Sequence, residues 1–308
     1  MIKIGTDCSG IEAPIEALKK ICDVYDCSFT HVFSSEIDKY ALQYIRDNHK
    51  PQIIFGDMTK RNIIDVPDID LYVSGFPCQP FSRANKFKTD VDPRLNLFNN
   101  CLDVIRNKTP KIFILENVKT LVTLNNGKYF NEILSILNSL NIYDIYWKVV
   151  NSKDYGIPHC RDRLYIIGIQ KSLSKYKFNF PKKKTLQDIK SFIDENDNNR
   201  IDIKECNKEL FKNIPSDSVF IDIGFRKAKF PNSNKWAPCI TAQPNMWCVP
   251  KHRKANIQEY LSLQGFPTKG FIQNISDHQF KKKIGNSMTV DVIEALLIEC
   301  FKNINMII

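Results

Sequence analysis

Strand-like and helix-like segments alternate through the first half of this 308-residue chain, and that order restricts the fold more than any feature of its composition. Residues 3–6 read as a short strand and 13–22 as a helix; 31–35 and 39–48 repeat the pair. Residues 53–55 and 71–74 are strands, 97–106 an amphipathic helix, 111–115 a strand and 128–140 a helix. Two further strands, 145–150 and 163–169, close the series in antiparallel fashion. This β-α-β-α order predicts a doubly wound, mostly parallel α/β sheet. After Gln170 the rhythm stops. Residues 171–250 are rich in Lys and Asn with short, irregular elements, and read as a second, smaller domain. A helical pattern resumes at 256–264 and 289–301, so residues 1–170 and 251–308 are expected to form the larger domain.

The stretch Gly75-Phe76-Pro77-Cys78-Gln79-Pro80-Phe81-Ser82 follows one of these strands directly. Two prolines fix φ and withhold N–H donors, which makes Cys78 part of a stiff loop. The loop leaves the C-terminal end of a strand, where open α/β sheets place their ligands. A rigidly held thiol there suggests a nucleophile, although a single cysteine is more often a buried structural residue. The ten cysteines are dispersed without a C-x-x-C pair, so a zinc site, another metal site and a disulfide framework are not expected. The start, Met1-Ile2-Lys3-Ile4-Gly5-Thr6-Asp7, reads straight into a strand and lacks the layout of a secretory signal. No apolar run approaches ~18 residues, so no membrane span is expected and the reading is intracellular, with reduced thiols.

The net charge of +10 is uneven: residues 171–252 carry 16 Lys+Arg against 9 Asp+Glu. A basic segment on a near-neutral body suits a polyanion, and equally a solvated lysine-rich surface. Other informative residues fall at strand ends. Cys8-Ser9-Gly10 opens a helix, where backbone N–H groups meet a polar ligand. Glu36 ends the second strand and suits ribose hydroxyls; Asp57 ends the third and suits an exocyclic amine. Glu116-Asn117-Val118 follows strand 111–115, and Arg161-Asp162-Arg163 leads into the last strand. Singly, each is as well explained as a cap, an ion-pair partner or a solvated face. Five such sets at the ends of one sheet point to a site.

Together these residues resemble the C5-cytosine methyltransferase family. The Pro77-Cys78-Gln79 loop, Glu116-Asn117-Val118, Asp154-Tyr155-Gly156-Ile157-Pro158 with Arg161-Asp162-Arg163, Gln264-Gly265-Phe266-Pro267 and Ile284-Gly285-Asn286-Ser287 occur in the family's order. The resemblance implies a Rossmann-like S-adenosylmethionine-dependent methyltransferase fold, with residues 171–250 as target-recognition domain. It implies Cys78 as the nucleophile that adds to C6 of cytosine, Glu116 at N3 of the ring, and Arg163, with Arg161, steadying base and loop. S-adenosyl-L-methionine, leaving as S-adenosyl-L-homocysteine, would be held by Cys8, Ser9, Gly10, Glu36, Ile37, Asp57, Met58, Asn286 and Ser287. Gln79, Ser82, Arg94, Arg226, Lys227, Thr241 and Arg253 are the expected nucleic-acid contacts. The base, hidden in a duplex, must be flipped out.

The first family motif departs from its usual form: Thr6 stands at an acidic position, Cys8 replaces Phe, and Glu12-Ala13 replace glycines. Glu12 is read either as a partner of the methionine ammonium or as a helix-surface residue. Trp236 and Trp247 are read as stacking on bases or as core aromatics. Double-stranded DNA is the expected partner, with a cognate restriction endonuclease acting separately and the protein itself a monomer. The competing expectations are a tRNA cytosine-5 methyltransferase and a DNA-binding relative impaired in catalysis. Gly75-Phe76-Pro77-Cys78 and Cys239-Ile240-Thr241 fit the DNA branch better than the Pro-Pro-Cys and Cys-Phe-Thr of the RNA branch.

Overall fold

A computed structural model describes residues 1–77, 95–200, 211, 214–224 and 234–307. The chain divides into two compact units. The first comprises 1–150, 162–181 and 293–308; the second comprises 151–161 and 182–292. The expected target-recognition segment falls in the second unit except for its first eleven residues, and that unit also takes in 251–292.

The first unit is built on a seven-stranded sheet. Its elements in chain order are β1 (Ile2–Asp7), α1 (Ala13–Val24), β2 (Phe29–Ser35), α2 (Lys39–Asn48), β3 (Ile53–Phe55), β4 (Leu71–Ser74), α3 (Leu95–Lys108), β5 (Ile112–Val118), α4 (Lys128–Ser139), β6 (Tyr143–Asn151) and β7 (Asp162–Gln170). The strand order is β3-β2-β1-β4-β5-β7-β6. Pairings from β3 to β5 are parallel, and β7 runs antiparallel to β5. The expected doubly wound sheet is therefore present, with its antiparallel member where the sequence placed one. The order reverses between β1 and β4, and the turns after these two strands flank that switch point, the usual ligand crevice of such sheets.

Central strands of a parallel sheet are covered on both faces and read as unbroken apolar runs. Ile112–Leu115 of β5 and Leu71–Val73 of β4 are all buried. Helix starts are set by local chemistry. Asp38 caps α2 by accepting from the N–H groups of Tyr40 and Ala41 at 2.9 and 3.1 Å, which satisfies donors that a helix start otherwise leaves open.

The second unit holds a three-stranded antiparallel sheet of β8 (Phe220–Asp222), β9 (Met246–Cys248) and β10 (Arg253–Lys254), followed by α5 (Ile257–Ser262) and α6 (Asp277–Asn286). A capping box opens α5, with Asn256 and Glu259 each bonding the other's backbone. The last helix, α7 (Val290–Asn303), returns the chain to the first unit at Ile293. The periodicity missed α6, because Lys281-Lys282-Lys283 leaves it only Phe280 and Ile284 as buried apolar anchors. Among the described residues no helix is long and apolar enough to cross a membrane.

Candidate active site at the strand ends

The turn after β1 is built from left-handed backbone. Cys8, Gly10 and Glu12 have φ of 51°, 57° and 63°. Only glycine adopts that region freely, and a Cβ on Gly10 would point into open space. The turn is pinned to the end of β2. Ser9 Oγ donates to Ser35 O and Thr6 O and accepts from Ser35 N–H, all within 3.2 Å. The Gly10 N–H donates to Glu36 Oε2 at 2.8 Å, while Glu36 Oε1 accepts from the N–H groups of Ile37 and Asp38 at 2.8 and 2.9 Å. Three backbone donors thus fix the Glu36 carboxylate in one orientation. Beside it, Ile37 is 75% exposed, an apolar side chain with nothing covering it.

Asp57 shapes the turn after β3 by accepting from the N–H and hydroxyl of Thr59 at 3.0 and 2.7 Å. Those bonds hold its carboxyl below the usual carboxylate range. Met58 is buried, and its Sδ lies 3.8 Å from Cys8 Sγ, so the β1 and β3 turns touch. Burial pushes the Cys8 thiol well above its ordinary range, which keeps it a neutral packing group.

Glu12 corrects one expectation. It is not on the helix surface: it is 0% exposed, and Oε1 accepts from Thr6 Oγ1 at 2.7 Å and Ser34 Oγ at 2.6 Å. His31 Nε2 lies 3.5 Å away. Burial alone would raise this carboxyl, but the charge and hydrogen bond of His31, with His49 and Ser34, hold it below its ordinary value. Thr6 and Glu12, the two departures from the family motif, therefore bond each other. A second buried cluster, Asp7 with Arg61 and Tyr72, was also not legible in the sequence, because its members lie 54 and 65 residues from Asp7.

Further along the sheet, Glu116 sits on β5 opposite Tyr165, and Arg163 on β7 opposite Val118. Antiparallel register sets these residues side by side, with Arg163 Nε 3.2 Å from Glu116 Oε1 and both side chains partly exposed. The neighbouring Asn117 is buried, and its Nδ2 donates to Phe76 O at 3.1 Å. The backbone two residues before Cys78 is thereby tied to the strand that carries Glu116. Cys78 itself, Gln79, Ser82 and Arg94 lie outside the described residues, as do Arg226 and Lys227.

Arg161 belongs to the second unit and is buried. Its terminal nitrogens donate to Ile240 O and Ser287 O, each at 2.7 Å. His159 Nε2 accepts the Ile240 N–H at 2.9 Å, so its ring proton sits on Nδ1. Both backbone groups of Ile240 are therefore held by side chains of one short segment. The next residue, Thr241, is exposed, and its carbonyl lies so close to Gly285 that a Cβ there would come within 2.0 Å. Asn286 ends α6, and Ser287 follows it with its carbonyl also accepting from Gln264 Nε2.

Arg253 is the second correction. It is 2% exposed, and its guanidinium is spent on Glu259 at 2.8 and 2.9 Å and on the carbonyls of Asp194 and Asp197. A guanidinium enclosed in this way has no donor left to offer a phosphate. Trp247 takes the core alternative, buried against Phe211. Trp236 is half-buried, with the Lys153 ammonium 4.3 Å over its ring.

A family model described as C-5 cytosine-specific DNA methylase matches residues 7–302. The chain is 37% identical over 287 residues to the type II methyltransferase M.HaeII of Haemophilus aegyptius, covering 90% of this chain and 87% of the relative. It is 38% identical over 282 residues to the type II methyltransferase M.NgoBI of Neisseria gonorrhoeae, covering 88% and 85%. Among solved structures, the S. pombe Dnmt2 methyltransferase aligns with a TM-score of 0.72 over 99% of this chain and 100% of its own, at 17% identity, a likeness of fold. With a family match across nearly its whole length and relatives at this level of identity, the chain belongs to the C-5 cytosine-specific DNA methylase family.

Proposed function

We propose that this protein transfers a methyl group from S-adenosyl-L-methionine to C5 of cytosine in double-stranded DNA. The observation that carries the reading is the Glu116–Arg163 pair on adjacent strands, with Asn117 tethering the lead-in to Cys78 beside it. C5 of cytosine is a weak nucleophile. Addition of the Cys78 thiolate to C6 makes C5 enamine-like, and the charge that develops on the ring is met at N3 by a proton held by Glu116. Arg163, always charged and fixed by its own strand, holds the base and the carboxyl in register. After methyl transfer, loss of the C5 proton to a base expels the Cys78 sulfur and restores the ring.

The strand ends suit S-adenosyl-L-methionine. Gly10 opens a space that a side chain would fill, Glu36 presents a fixed carboxylate to ribose hydroxyls, and the uncovered Ile37 offers an apolar face to adenine. Asp57, Met58, Cys8 and Ser9 complete that rim, and Asn286 and Ser287 are assigned to the methionine end. The bound cofactor supplies an electrophilic methyl group at its sulfonium. Residues 171–250 are assigned to target recognition, with Thr241 its exposed residue nearest the His159–Arg161 clasp. Arg161 acts there as a positioning residue, through Ile240 and Ser287. The type II names of the relatives support a restriction-modification setting with a separate endonuclease.

The test is incubation with tritiated S-adenosylmethionine and, separately, duplex DNA or transfer RNA. The expected result is label in DNA that disappears in Cys78→Ala. Label in RNA alone would sink the DNA assignment, and tight DNA binding without label would mark an impaired relative.

A further inference from the structure

The three strand ends assigned to the cofactor meet at one side chain that the family motifs do not include. Arg61 follows β3 by six residues, and its side chain is 6% exposed. Its two terminal nitrogens donate to the two carboxylate oxygens of Asp7, each at 2.5 Å, and one of them also bonds Ser35 Oγ. Its guanidinium lies 5.3 Å from the ring centre of Phe33 and 5.4 Å from that of Phe55, two rings that meet edge to face. Tyr72 of β4 donates its hydroxyl to Asp7 Oδ2 at 2.6 Å and closes the cluster from the other side.

The placement of these partners matters more than their number. Asp7 is the last residue of β1 and immediately precedes Cys8. Ser35 is the last residue of β2 and immediately precedes Glu36. Phe55 is the last residue of β3, two residues before Asp57. One planar cation therefore grips the base of each loop proposed to touch the cofactor. By contrast, the bonds within the β3 turn are local: Thr59 and Lys60 bond back only to Asp57. A forked guanidinium matches a carboxylate in two parallel bonds and stacks on aromatic faces, and a lysine ammonium does neither.

We propose that Arg61 is a positioning residue for the cofactor pocket, setting the relative placement of the Cys8–Gly10 turn, Glu36 and Asp57. This rests on the assignment of Glu36 and Asp57 to the cofactor. Removing Arg61 alone would strand a buried carboxylate, so that variant loses stability whatever its role. The informative variants are the double substitution Asp7→Asn with Arg61→Met, which leaves no buried charge, and Arg61→Lys, which keeps the charge without the fork or the stack. Calorimetry with S-adenosyl-L-homocysteine, melting curves and duplex-DNA binding are measured on the full chain.

In the folded double variant, cofactor-product affinity should fall on the order of tenfold or more, since small misplacements of binding groups carry penalties of that size. Arg61→Lys should fall between it and the parent. KM for S-adenosylmethionine should rise with kcat at saturation retained, and DNA affinity should be unchanged. Wild-type affinity in a folded double variant, or a lowered melting point with no change in affinity, would overturn the proposal. Glu36→Ala and Asp57→Ala run alongside: if these also bind normally, the cofactor assignment itself fails. If they lose binding while the Arg61 variants keep it, only the role of Arg61 fails.

Discussion

Acidification should weaken the fold through His49, at pH values above those where ordinary carboxylates titrate. His49 closes α2 with a side chain that is 0% exposed. Its ring lies 6.4 Å from that of His31 and 5.7 Å from that of Tyr44, and Nδ1 is 3.7 Å from Glu16 Oε1. Burial pushes its pKa from 6.5 to about 4; Glu12 pulls it upward, while Lys19 and His31 push it further down. The folded value lies below the unfolded one. As pH falls through 6.5 the unfolded chain takes up a proton that the folded chain refuses until about 4. Stability is therefore intact above that window and declines within it. One proton per molecule corresponds to about 1.4 kcal/mol per pH unit, so the loss is about 2 kcal/mol at about pH 5 and about 3 kcal/mol once both states are protonated. Urea unfolding between about pH 7.5 and about pH 5 reads this as a falling midpoint at constant slope. His49→Gln, neutral throughout, should flatten the dependence. A wild-type midpoint that does not move, or an undiminished pH slope in His49→Gln, would refute the reasoning.

Three further outcomes are expected. Arg253→Ala should destabilise by about 3–5 kcal/mol, since it strands the buried Glu259, and the folded fraction should bind DNA as tightly as the parent; a selective loss of DNA affinity would show that Arg253 contacts phosphate after all. Replacing Lys182, Lys183 and Lys184 with Ala should lower the salt slope of DNA binding by about two phosphate contacts, because Lys183 already faces Asp154 at 3.2 Å; an unchanged slope would make the run a solvated face. Burial and the adjacent Cys27, 2.6 Å away sulfur to sulfur, push the Cys22 thiol up to about 12, so iodoacetamide near neutral pH should label it far more slowly in the folded than in the denatured chain; equal rates by mass spectrometry would contradict the shift.

Where the sequence carried a local signal, the fold followed it. Strands 53–55 and 71–74 and helix 39–48 have the bounds that their apolar runs and the Asp38 cap prescribe. Strand β5 runs three residues further than its apolar core, because antiparallel pairing with β7 continues through Glu116, Asn117 and Val118. That extension is what puts Glu116 beside Arg163, and no local pattern announces it. Long-range pairing also explains the other gaps. Arg253 reads as one more cation until Glu259 and Asp197 enclose it. Glu12 reads as a surface acid until β2 brings His31 and Ser34 against it. Arg61 shows nothing in its own neighbourhood of the carboxylate waiting at the end of β1.

The contact between Gly285 and the Thr241 carbonyl has a practical consequence for anyone exchanging recognition modules between relatives. Ile240 is gripped at both its N–H and its C=O by His159 and Arg161, and residue 285 tolerates no side chain beneath the next carbonyl. The Ala237 N–H and C=O are likewise bonded to Pro158 and Cys160. A graft whose downstream junction falls after Ile240 would import a foreign segment into a socket cut for this one. A junction placed before Ala237 leaves the socket and its native occupant together. The portable part of the module thus ends at Trp236, and the residues after it travel with the host scaffold.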